Sequence, residues 1–142
     1  MVHGAGLTIL PDVALWFVPR MAASCQSFDQ ARLQCLRYLS QAAWAAQHEG
    51  RKLMLATFLA THDGPAEPNI LHLFEAGALR VRGRPPPVDV EMFLEAMWKR
   101  FGGDAAERLT QLACGHPAYR RALEDGHDSE IAFDAQGQDT AA

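Results

Sequence analysis

Apolar residues recur at helical spacing over two long stretches of this chain and at strand spacing over shorter ones. The longest stretch with a single period is Ser27 to His48. Ser27 followed by Gln30 has the S-x-x-Q form of a capping box, in which the hydroxyl accepts from an orphan backbone N–H and the glutamine reaches back. Asp29 adds negative charge where the helix dipole favours it, and Gly50 stands where a left-handed C-terminal cap belongs. Gln30, Gln34, Arg37, Gln41 and His48 fall on one side of this helix. Phe28, Cys35, Leu36, Leu39, Ala43 and Ala46 fall on the other. The pattern predicts a long amphipathic helix whose apolar face covers a core.

Residues 5–18 hold two short runs rich in Leu, Ile, Val, Trp and Phe about Pro11-Asp12, which read as two strands around a turn or one strand with a proline bulge. Leu53 to Leu59 is a short apolar run whose period fits either a helix or a buried strand. Its position after a helix, a glycine and a basic pair favours a strand. His62-Asp63-Gly64-Pro65 reads as a turn. Further on, Leu79, Val81 and Gly83 alternate with Arg80, Arg82 and Arg84, the pattern of a half-buried strand with an arginine-bearing outer face. The arm before it, Ile70 to Glu75, is taken as its hairpin partner, with a short helix between Asn69 and Gly77 as the alternative.

Three prolines, 85–87, break the chain. Val90, Phe93, Leu94, Met97, Trp98 and Phe101 then form a full helical stripe, with Asp89 as its expected cap and Gly102-Gly103 as its end. A further helix is expected from Asp104 to Cys114, and another from Pro117, a good first helical residue, to about Asp125. The predicted fold is α+β: a small, mainly antiparallel sheet covered by one long amphipathic helix, with a three-helix C-terminal portion. Residues 1–126 are expected to form one globular domain. Residues 127–142 are expected to be an acidic mobile tail, with one short extended piece at 131–133.

Composition narrows the class without naming a function. With 142 residues, 49% of them apolar, the chain is long enough for a genuine core. No run of eighteen apolar residues occurs, and no basic region precedes the N-terminal apolar run, so neither a membrane span nor a signal peptide is expected. Three unpatterned cysteines fit reduced thiols and a cytoplasmic setting better than a disulfide framework. The net charge of −4 is unevenly spread: residues 80–121 carry an excess of base, and residues 122–142 carry acid alone.

The candidate chemistry falls into three groups. On the organising helix, the wheel sets Leu33 and Trp44 toward the polar flank beside Arg37 and Ser40, a composition typical of interface hot spots. The same wheel puts Arg32 in the middle of the apolar face, where it must snorkel or find a buried carboxylate. The leading expectation is a protein that acts by binding another protein or a second copy of itself, through Leu33, Arg37 and Trp44.

The second group is basic. Arg82-Gly83-Arg84-Pro85 resembles the core of an AT-hook, which would lay its arginines in a narrow minor groove. Pro86 and Pro87 stand where that motif has further basic residues. Arg120 and Arg121 open the last helix as recognition residues do in a helix-turn-helix. The alternative is therefore a DNA-binding regulator using Arg80, Arg82, Arg84, Arg120 and Arg121.

The third group is a small enzyme or ligand binder with His62 or His72 in a pocket, joined by Asp63, Glu75 or the Cys114/His116 pair. No nucleophile elbow, zinc-ligand spacing or phosphate loop accompanies these residues, so no catalytic residue, metal or cofactor is assigned.

Overall fold

A computed structural model of the chain describes residues 10–23, 30–54, 56–75 and 86–133. In chain order these form α1 (Leu10–Ala23), α2 (Gln30–Gln47), β1 (Leu59–Thr61), β2 (Gly64–Ala66), α3 (Pro68–Glu75), α4 (Val88–Phe101), α5 (Ala106–Cys114), α6 (Pro117–Asp125) and β3 (Ser129–Glu130). The fold is α+β. The strands make one antiparallel sheet in the order β2-β1-β3, with Leu59 opposite Ala66 on one side and Glu130 on the other.

Within the N-terminal apolar segment residues 10–18 are helical and not a strand, while residues 5–9 lie outside the described residues. Val13, Trp16, Phe17 and Met21 are all buried, at helical spacing. Pro11 lies in the first turn, where its missing N–H has no intrahelical partner to lose. Pro19 sits inside the helix on an exposed position, and Arg20 folds back one turn to donate to the Trp16 carbonyl at 2.8 Å. The Arg20 guanidinium also lies over the Trp16 ring, 3.4 Å from its centre. β-prone residues thus became helical because the period of their burial was helical, and tertiary packing overrides single-residue propensity.

α2 packs against α1, α4, α5 and β2, so it runs through the interior. Its predicted start at Ser27 lies outside the described residues. Both of its sides are buried, and Gln34, Arg37 and Gln41 are as enclosed as Leu33 and Leu36. A buried polar side chain must be hydrogen-bonded, and these glutamines bond to backbone that carries no regular ladder of its own. Gln41 Oε1 accepts from the N–H groups of Leu53 (2.9 Å) and Met54 (3.0 Å), and its amide donates to the Met54 carbonyl at 3.1 Å. Gln34 does the same at the exit of β2, exchanging both bonds with the Glu67 backbone at 3.2 Å. Regular strand is confined to β1, while the run before it is extended and clipped to α2.

Ile70 to Glu75 belongs to α3, the helical alternative, and not to a hairpin arm. Its cap is Glu67, whose carboxylate accepts from the N–H groups of Asn69 (3.1 Å) and Ile70 (2.8 Å). Pro68 follows as the first helical residue. The predicted partner arm, 79–84, lies outside the described residues.

The three C-terminal helices fall within two residues of their predicted bounds. Val90, Leu94 and Met97 bury the expected stripe of α4. Its capping residue is Pro87 without a side-chain bond, so Asp89 acts as first-turn negative charge instead. Arg32 is 3% exposed and does not snorkel. Its guanidinium donates to the carbonyls of Gly102 (2.6 Å) and Asp104 (3.2 Å), placing a buried cation at the negative end of α4.

The packed chain continues past Gly126. β3 pairs with β1, the Ile131 N–H donates to the Phe58 carbonyl at 2.8 Å, and Ile131 and Phe133 are buried. Phe133 packs against Tyr38 and Phe58 in an aromatic cluster. Among the described residues, no helix is long and apolar enough to cross a membrane.

Candidate functional site

The residues expected on the surface of α2 lie inside the molecule. Leu33 and Arg37 are fully buried and Trp44 is 2% exposed. Trp44 stacks on His48 with ring centres 3.9 Å apart and meets Phe93 of α4 edge-on. The wheel misplaced them because it put the wet side on the polar face, whereas the exposed positions of α2 are Ala31, Ala46 and Gln47, with Leu39 and Ala43 half-buried. Arg37 faces Glu67 at 3.7 Å, Gln34 Oε1 at 3.5 Å and the Met54 sulfur at 3.6 Å, with its guanidinium 5.4 Å from the centre of the Phe58 ring. Burial pulls its pKa down to about 10 against the opposing pull of Glu67. This arginine is a structural cation.

Of the basic set, Arg120 and Arg121 are exposed on α6, while Arg80, Arg82 and Arg84 lie outside the described residues. Among the histidines, His72 is exposed on α3. His62 is drawn into a constellation that the linear sequence did not display.

The β1–β2 hairpin turns through His62 and Asp63, and Thr61 Oγ1 both accepts from the Asp63 N–H (3.2 Å) and donates to the Gly64 carbonyl (2.7 Å). Gly64 has φ +128°, a conformation that suits glycine. This tight turn meets the α5–α6 corner. Tyr119, at the third position of α6, donates its hydroxyl to the Thr61 carbonyl and lies against the Cys114 thiol. Burial, then Cys114 and the charge of Asp63, push the Tyr119 hydroxyl up to about 12, so it stays a donor at neutral pH. His127, in the turn after α6, stacks on His62 with ring centres 4.6 Å apart and planes 14° from parallel. Its Nε2 lies 3.3 Å from Asp128 Oδ1.

These elements border an open, shallow groove of about 520 Å³ lined by His62, Cys114, Tyr119, Arg120, Leu123 and Glu124. That volume lies within the range of small-molecule sites, roughly 300–1,000 Å³. Arg120 and Glu124 stand one turn apart on α6 and bring opposite charges to it, while Leu123 and Tyr119 offer apolar surface. Cys114 and His116, neighbours in sequence, separate in the fold. Cys114 lines the groove, whereas the His116 ring turns inward to Tyr38, with Nδ1 2.6 Å from the hydroxyl.

The sequence offered His62 and Cys114 as enzyme or ligand-site candidates and Arg120 as a DNA contact, and did not join them. The signal that joins them is Tyr119: a hydroxyl-bearing residue in the first turn of a helix, two residues after its opening proline, that needs a distant acceptor once buried. Nothing in the linear pattern indicates that Thr61 supplies it.

Stacked imidazoles point their nitrogens past one another and do not converge on a metal ion. Among the described residues, no group of three or more His, Cys, Asp or Glu side chains is placed to hold one. The groove can bind through paired charges, a hydroxyl-bearing apolar floor and a rim of imidazole. Comparison with known protein families, with curated proteins and with solved structures finds no match for this chain.

Proposed function

We propose that this protein is a small binding domain whose ligand site is the groove between the β1–β2 turn and the α5–α6 corner. The supporting observation is the convergence of His62, Cys114, Tyr119, Arg120 and Glu124 from three separate elements onto one concavity. Opposite charges on one helix face, with Leu123 between them, suit a small zwitterion such as a free amino acid. Arg120 would take its carboxylate, Glu124 its ammonium group, and Leu123 with Tyr119 its side chain. A panel of free amino acids, titrated at millimolar concentration into the 15N-labelled protein, tests this. Saturable amide shifts clustered at His62, Tyr119 and Arg120, lost in Arg120→Glu, are expected. An unchanged spectrum across the panel would remove the zwitterion reading.

A second reading, association with another protein chain or a second copy of this one, is favoured by a different surface. Val88 and Met92 are the exposed large apolar residues among those described, 75% and 68% exposed and one turn apart on α4. Any such contact would use α4, because the apolar residues of α2 are already enclosed. Light scattering across a concentration series at two salt concentrations tests it. A dimer that Met92→Glu dissociates would support it, and a monomer throughout would remove self-association.

A further inference from the structure

The α5–α6 corner holds a second titratable group that the groove does not use. His116 is the extended residue between the two helices (φ −70°, ψ 133°), and its ring is 9% exposed. Nδ1 meets the Tyr38 hydroxyl at 2.6 Å, and the rings lie edge to face with centres 5.4 Å apart. Nε2 is buried with no hydrogen-bond partner among the described residues. Tyr38 belongs to the most enclosed part of α2 and packs against Phe58 and Phe133, with a hydrogen bond from the Tyr119 backbone. This one contact joins α2, the start of α6 and the strand that follows.

We propose that His116 is a proton-operated latch: neutral, it holds α6 and the 127–133 segment against α2, and protonated, it releases that corner while the rest of the core stays folded. The titratable and charged groups around the Tyr38–His116 pair are Tyr38 from α2, Cys114 from α5, and Tyr119 and Arg121 from α6. Among the described residues none of these is a carboxylate, and Arg121 repels an imidazolium. Protonation makes both ring nitrogens donors: Nδ1 toward the Tyr38 hydroxyl, which already accepts from the Tyr119 backbone, and Nε2 in a buried position with no acceptor among the described residues.

Release is local because the attachment is small. α6 with residues 127–133 buries Ala118, Tyr119, Ala122, Ile131 and Phe133, whereas α2 buries twelve residues, Arg37 and Trp44 among them. Elements with few buried apolar contacts open below the global unfolding free energy. Burial, then Arg121, pulls the His116 pKa down to about 4 from an ordinary 6.5. The sign follows from linkage. The open form takes up a proton as pH falls below 6.5 and the closed form does not until about 4, so acid favours opening throughout that window.

Hydrogen exchange followed by NMR tests this on the intact chain. Corrected for intrinsic rates, opening of the α6 amides is expected to rise about 20-fold from pH 7 to pH 5 and about 100-fold to pH 4. The α2 amides should stay protected over the same range. The His116 ring of the unaltered protein should remain neutral until close to pH 4, which needs no variant to fold. In His116→Gln the pH dependence of α6 exchange should flatten. A His116 ring that titrates near 6.5, or α6 and α2 amides that open together at every pH, would overturn the latch.

Discussion

Arg37 and Arg120 both lie on helix faces that a helical wheel paints as wet, yet one is fully buried and the other is exposed. Around Arg37 the polar groups of α2 are committed inward. Gln41 holds residues 53–54, Gln34 holds the end of β2, and Glu67 both faces the guanidinium and caps α3. Around Arg120 the polar groups face a groove and remain open to a ligand. The contrast separates two uses of the same residue types. Buried polar groups order the chain on either side of the β1–β2 ladder, at residues 53–54 and 67, while the polar groups around Arg120 stay on the surface.

Four substitutions would break or sharpen that contrast. The largest effect is expected from Glu67→Ala, which strands the Arg37 charge and uncaps α3 together. Leaving one member of a buried ion pair typically costs about 3–5 kcal/mol, measurable as a lower urea midpoint. Trp44→Ala should cost a similar ~3–5 kcal/mol as a core truncation. Its solution mass should stay unchanged, since Trp44 is packed against His48 and Phe93 of its own chain. Gln41→Leu keeps the bulk but orphans the Leu53 and Met54 N–H groups. At about 1–3 kcal/mol for each of these two groups, a loss of about 2 kcal/mol or more is expected, with exchange quickening first at 53–54. Arg120→Glu should leave stability within about 0.5 kcal/mol, the usual range for an exposed site, and should act on binding alone. If it destabilised the fold as much as Gln41→Leu, the groove would be structural and the contrast would fail.

The C-terminal helices were legible because each carries its own punctuation: Gly102-Gly103, Gly115 before His116-Pro117, and a stripe from Val90 to Phe101 that packs on α1 and α2. α1 was misread because Val, Trp and Phe favour strands individually, and only their burial shows the helical period. The polar side of α2 was read correctly as polar and wrongly as wet. Whether Gln34, Arg37 and Gln41 meet water depends on Glu67 and residues 53–54 arriving from elsewhere, which no local pattern encodes. The groove was legible residue by residue but not as a site. His62 and Tyr119 are brought together by a hairpin carbonyl 58 residues from the hydroxyl that meets it.

The most direct measurement is a double-mutant cycle between Arg37→Met and Glu67→Gln, read by urea denaturation. A pair enclosed as these two are, at 0% and 1% exposure, should show coupling of about 2 kcal/mol or more, toward the upper end seen for contacting residues. Exposed pairs give roughly 0.2–1 kcal/mol. Coupling at or below that level would place Arg37 at the surface and return α2 to the role of an outer, partner-facing helix.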